Sequence, residues 1–319
     1  MKPPAPLMPY LRTMKLAMLR ARAERAARRP GPDPSSEPPP GFIVGCGRSG
    51  TTILGKVFMT HPQVRYLFEP YHLWASIDRR TDVTNLHYPA DGLFIMRGEH
   101  ASPGARDRFA RLVLGARGDR RIVVEKTPHN IARIGFLEAL SPPGARYIHI
   151  VRSGLDAARS IDRLATVSGY KMAGKPRYNQ WWGVDHRKWS ALARDGAAAG
   201  YFPDEVPRLR THAQRGAYEW LVSLGEAERW RPVLGPRLCE ITYADLTSDP
   251  RGTLARLCAF LGVDGEETWL SAAAGMVEAE RKNRGEPLRL PPGMRERFNA
   301  WMTRYAFEGR AEALDGDGA

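Results

Sequence analysis

The stretch Phe42-Ile43-Val44-Gly45-Cys46-Gly47-Arg48-Ser49-Gly50-Thr51-Thr52 restricts what this chain can fold into more than any other. A short apolar run ends in glycines and passes straight into Thr51 to Thr60, which reads as a helix closed by His61-Pro62, because proline pushes its predecessor out of the helical region. The order is strand, glycine-rich turn, helix. Within it, Gly45-x4-Gly50-Thr51-Thr52 has the frame of a phosphate-binding loop, with threonine where that loop carries lysine. Gly47 and Gly50 let the backbone turn so that successive amides face an anion at a helix N-terminus. Ser49, Thr51 and Thr52 add hydroxyl donors, and Arg48 is placed to contact a group being transferred. Without the lysine the grip on β/γ-phosphates is poor, which argues against an ATPase, a GTPase or a nucleotide kinase.

The pattern of strand then helix continues. Strands are expected at Val64 to Phe68, Arg121 to Val124, Ala145 to Val151 and Arg237 to Thr242. Helices are expected at Ile131 to Leu140, Leu155 to Leu164, Thr211 to Arg229 and Pro250 to Leu261. Such alternation implies an α/β fold, P-loop-like, with a parallel β-sheet flanked by helices on both faces. Asp78 to Arg106 reads as loop-rich, and Lys171 to Arg210 as irregular and rich in Trp, Tyr and Pro.

Residues 1–29 form a separate basic arm, with Leu7, Leu11, Met14 and Met18 at near-helical spacing among eight cations and a single acid, Glu24. This helix suits an anionic membrane surface, a partner chain or a loosely ordered arm. Residues 30–40 are a proline-rich linker, 41–310 the catalytic domain and 311–319 a flexible tail. The net charge of +13 over 319 residues draws heavily on the arm, which disfavours nucleic acid as the partner of the domain itself. Three cysteines without a CxxC pair fit neither a disulfide framework nor zinc, so a reducing cytoplasm is expected, with peripheral membrane contact through the arm as one alternative. No apolar run approaches the roughly 18 residues that a membrane span needs, and the start lacks the h-region of a signal peptide.

A second anion motif follows the strand ending at Val151: Arg152 and, eight residues on, Ser160. Arginine suits phosphate because its planar fork matches the oxygens. With both motifs in view, the chain resembles the sulfotransferases that use 3′-phosphoadenosine 5′-phosphosulfate (PAPS). In that family a Gly-Arg-Ser-Gly-Thr-Thr loop binds the 5′-phosphosulfate, while an Arg and a Ser hold the 3′-phosphate. The resemblance extends to Thr242-Tyr243-Ala244-Asp245-Leu246, with Tyr243 implied near the nucleotide, and to Arg281-Lys282-Asn283-Arg284-Gly285, implied as a basic loop over the 3′-phosphate. Together the matches span about Gly41 to Gly285.

The family resemblance implies in-line sulfuryl transfer with no metal, and no metal-ligand cluster is visible in the sequence. Phe68-Glu69-Pro70-Tyr71-His72 is similar to the branch that acts on carbohydrates and tyrosines and uses glutamate as base. That makes Glu69 the expected base and His72 a rival or an acceptor-pocket residue. Glu125-Lys126-Thr127-Pro128 is similar to a segment of glycan-directed members. Lys126 is expected to stabilise the sulfuryl group or bind the acceptor, with Glu125 orienting it. Trp181 and Trp182 are candidates for stacking on the acceptor, which the sequence leaves open among a glycan, a lipid and a small molecule.

Overall fold

The computed structural model describes residues 7–89, 91–167, 171–277 and 285–314. Helix α1 (Met8–Ala26) precedes β1 (Gly41–Val44), α2 (Thr51–Met59), β2 (Val64–Phe68), α3 (Tyr71–Ile77) and α4 (Pro103–Leu112). Then come β3 (Ile122–Lys126), α5 (Ile134–Leu140), β4 (Arg146–Val151), α6 (Gly154–Thr166), the small hairpin β5 (Tyr178–Asn179) and β6 (Gly183–Val184), and α7 (Arg187–Ala198). The long α8 (His212–Leu234) leads to β7 (Leu238–Thr242), α9 (Tyr243–Ser248), α10 (Pro250–Leu261) and α11 (Glu267–Ala274). Strand β8 (Arg289–Leu290), α12 (Pro292–Arg304) and β9 (Glu312–Ala313) follow.

Five strands form one sheet in the order β2-β3-β1-β4-β7, and every pairing is parallel. This is the expected α/β architecture. The alternation of side chains across a strand sends Phe42, Val44, Val123 and Tyr147 to one face, where α3, α4 and α5 cover them. Ile43, Val124, Ile148 and Ile241 go to the other, beneath α2, α10 and α11. A third cluster lies between α6, α8 and α12. The chain leaves β1 toward β2 and β3 on one side and returns to β4 and β7 on the other. The carboxyl edge at β1 is therefore a topological switch point, where sites form in such sheets.

One region differs from the sequence pattern. Helix α7 lies inside the stretch read as irregular, because its buried Lys188 interrupts an apolar face that holds only Ala191, Leu192 and Gly196. In α1 the apolar stripe faces outward, and Ala23 and Ala27 on the other side are buried. No described helix is long and apolar enough to cross a membrane.

Candidate active site

Each of the five strands delivers a candidate residue at or just past its carboxyl end. The loop Gly45 to Gly50 follows β1, Glu69 follows β2, Lys126 ends β3, Arg152 follows β4, and Tyr243 follows β7. Parallel register aligns these ends: Phe68 pairs with Lys126, and Val151 with Thr242. Residues up to 198 positions apart in sequence thereby meet along one edge (Gly45 to Tyr243).

The loop is built by its glycines. Gly50 has φ +97°, and a Cβ there would lie 2.3 Å from the Tyr243 ring. At Gly47 a Cβ would lie 2.3 Å from Trp181. Arg48 itself adopts φ +70° and Glu69 φ +39°, conformations that cost a non-glycine residue about 1–2 kcal/mol each. Strain of this kind concentrates at functional sites. Ser49 is buried, and its hydroxyl has no partner among the described residues.

On the side of the loop toward β4 and β7 lies a hollow of about 260 Å³ lined by Arg48, Gly50, Thr51, Thr52, Ile53, Lys56, Arg152 and Tyr243. Arg48 donates from Nε to Ser160 Oγ (3.0 Å), so the two phosphate motifs touch. The Arg152 guanidinium stacks over Tyr243 at 4.8 Å and sits 4.0 Å from Asp156. Burial first, and the cations Arg152 and Arg163 next, push the Arg48 guanidinium below its ordinary value, with Glu69 opposing. Cations held together against their own repulsion make a seat for a polyanion. Sequence inspection missed Lys56, although it stands one helical turn from Thr52 and hence on the same face. Arg281 and Lys282 lie outside the described residues.

On the other side lies a larger cavity, about 540 Å³, whose wall includes Arg48, Thr52, Phe68, Glu69, Tyr71 and His129. The fully buried Lys126 ammonium donates to Glu69 Oε1 (2.5 Å) and to Thr52 Oγ1 (3.0 Å), and lies 4.6 Å from the Phe68 ring. Burial lowers its pKa, and Glu69 is the chief counterweight. Glu69 remains about a quarter open, 27 % by side-chain exposure. One cation thus ties the glutamate to the start of α2.

Glu125 does not orient Lys126. Neighbours on a strand point to opposite faces, and Glu125 accepts instead from Trp74 Nε1 (2.9 Å), Thr127 Oγ1 (2.5 Å) and Asn130 Nδ2 (3.1 Å). Complete burial raises its pKa to about 7, the three hydrogen bonds opposing. His72 lies beside His87, 6.4 Å between rings, and is not part of the cavity wall. Burial, then His87, lowers its pKa to about 4. The wall residue on that helix is Tyr71, stacked on His129 at 5.8 Å. His129 is buried with Nε2 unpartnered among the described residues, and burial holds it neutral, reinforced by Arg133, Lys188 and Lys126.

The tryptophans part company. Trp181 lines the cavity, held by its Nε1 on Glu219 Oε2 (3.0 Å) and by the Lys188 ammonium 3.9 Å from its ring. Trp182 is fully buried and donates to His212 Nδ1 (3.1 Å), so it belongs to the core. The buried Lys188–Glu219 pair (2.9 Å) that supports Trp181 joins α7 to α8. A pairing across 31 positions leaves no local signal in the sequence. Cys46 is buried beside this pair, and burial pushes its thiol well up.

A parallel sheet gathers a glycine-built loop, several cations and a carboxylate at its switch point. The chain belongs to the sulfotransferase family, whose model, described as "Sulfotransferase family", matches residues 39–267. Its chemistry is transfer of a sulfuryl group. In fold the chain is similar to sulfotransferase STF9 from Mycobacterium avium, with 12 % identity, a TM-score of 0.51, and 92 % of this chain and 83 % of that one covered. The sulfotransferase domain from the curacin biosynthetic pathway aligns at 18 % identity and TM-score 0.49, over 86 % of this chain and 99 % of that one. The corresponding domain of the Synechococcus PCC 7002 olefin synthase gives 19 % and 0.49, over 88 % and 99 %. No curated protein matches the chain in sequence.

Proposed function

We propose that this sulfotransferase draws its sulfuryl group from PAPS and passes it to a hydroxyl or amine of a carbohydrate, lipid or small molecule, with Glu69 as the base. The observation that carries this reading is the Thr52–Lys126–Glu69 chain of contacts between the anion loop and the larger cavity. It sets the only described carboxylate of that cavity outside the Lys188–Glu219 pair next to the place where a donor held by the loop would end.

The residues present fit such a donor. Loop amides, the unpartnered Ser49 hydroxyl, Thr51 and Thr52 would hold the 5′ end, as anions are held at helix N-termini. Arg152, Ser160 and Lys56 would take the 3′-phosphate, with Tyr243 beside the nucleoside and Arg281 and Lys282 as further contacts in sequence. The donor supplies an activated sulfur and a bisphosphate leaving group. Arg48 and Lys126 stabilise charge that grows on the bridging oxygen and the sulfuryl oxygens. Glu69, with Oε1 fixed on Lys126, takes the acceptor's proton on its other oxygen. Trp181, Tyr71 and the neutral His129 bound the space for the acceptor.

Glu69→Gln tests the base. It should bind 3′-phosphoadenosine 5′-phosphate (PAP) within about twofold of wild type, yet lose at least about a hundredfold in turnover, the usual scale for a removed general base. PAP release from PAPS across a panel of glycan, lipid and phenolic acceptors reads the turnover. Unchanged turnover removes Glu69 from the role.

A further inference from the structure

Helix α1 is two-sided in an unusual sense: the side with small residues is packed and the side with large apolar residues is bare. Inward, Ala23 and Ala27 are buried, and Leu16 lines the larger cavity. Arg20 donates to the His87 carbonyl (2.6 Å) and Thr13 Oγ1 to the Ala173 carbonyl (3.0 Å), which fixes the helix on the domain in this orientation. Outward, Leu7, Tyr10, Leu11, Met14 and Met18 are 38 to 67 % exposed. Their spacing places them on a single stripe along the helix.

Charge decides what could cover that stripe. Lys15, Arg22 and Arg25 are exposed on the same side, and Arg28 and Arg29 follow just past the helix end. The single acid of the segment, Glu24, is taken up by the Tyr88 hydroxyl and lies 3.8 Å from Arg20. A line of Leu, Met and Tyr bordered by Lys and Arg is the pattern of a helix lying in the headgroup region of an anionic bilayer. A second copy of the chain would bring like charges together. Nucleic acid would leave the central Leu and Met side chains without an apolar contact.

We infer that the outer face of α1 docks on an anionic lipid surface, holding the cavity wall that contains Leu16 one helix diameter from the membrane. The docking is independent of the donor and base assignments above. Sedimentation of the full chain with vesicles tests it, using phosphatidylcholine alone and phosphatidylcholine mixed with phosphatidylglycerol. The wild type should partition at least about tenfold more strongly onto the anionic vesicles, and less so as salt rises. Leu11→Glu/Met14→Glu should abolish binding, and Lys15→Glu/Arg22→Glu/Arg25→Glu should abolish the preference for anionic lipid. Both sets of positions are exposed, and unchanged thermal melts and PAP affinity would confirm that the variants are folded. Failure of the wild type to bind anionic vesicles overturns the inference. So does a dimer in sedimentation velocity that Leu11→Glu/Met14→Glu dissociates, since the stripe would then be covered by a second copy.

Discussion

Replacing Lys126 by methionine should destabilise the protein, and replacing Glu69 by glutamine in the same chain should return much of the loss. The Lys126 ammonium is completely buried and bonded to Glu69 and Thr52. Removing one member of a fully buried ion pair costs about 3–5 kcal/mol, because the other charge is left uncompensated. Glu69 is 27 % exposed, so water recovers part of that. About 2–3 kcal/mol is the expected cost of Lys126→Met. Glu69→Gln strands the buried ammonium instead and should cost a similar amount. In the double variant neither charge remains, and the coupling should reach about 2 kcal/mol, within the range seen for contacting groups. Urea unfolding of the four proteins reads all the terms. Singles that add to the double within about 0.5 kcal/mol would show that the pair does not form. The chain of contacts from loop to glutamate would then fall with it.

The other expectations concern Glu125 and the tryptophans. Glu125 has a folded pKa of about 7, raised from 4.5. The folded state therefore holds a proton that the unfolded state loses between these values, and stability falls as pH rises through that window, by about 3 kcal/mol in all. Glu125→Gln, which keeps the shape of the protonated acid, should flatten this fall in thermal melts from pH 4.5 to 8; an unchanged slope would assign it to other groups. Trp182→Ala should cost about 3–5 kcal/mol as a core truncation, whereas Trp181→Ala should shift the acceptor KM with a smaller loss of stability. Equal effects from the two would contradict the division of core from cavity wall.

Much of the fold was legible because apolar runs end cleanly. Phe42-Ile43-Val44 stops at a glycine and Ile148-His149-Ile150-Val151 at an arginine, and in a parallel sheet the residue after each stop lands on the carboxyl edge. That is why the positions of Arg48, Glu69, Lys126 and Arg152 at the carboxyl edge were legible in the sequence. Helix α4 was harder, although Ser102, which accepts from the Ala105 amide, and Pro103 mark its start. Its apolar residues are few, and the preceding loop obscured them. Lys188 and Glu219 were beyond reach, since their meaning lies in a contact between α7 and α8. Strand alternation separates Glu125 from Lys126, although the two are adjacent in one motif. For α1 the period was legible, while the side that packs on the domain, marked by Ala23 and Ala27, was not.

Titration calorimetry with PAP, on the wild type and on Arg152→Ala, tests the central claim most directly. Arg152 lines the cationic hollow beside the loop, with its guanidinium over the Tyr243 ring. The wild type should bind PAP, and the variant should bind at least about tenfold more weakly, the loss expected for one charge-assisted contact. A wild type that does not bind PAP would contradict the assignment of this edge as the donor site.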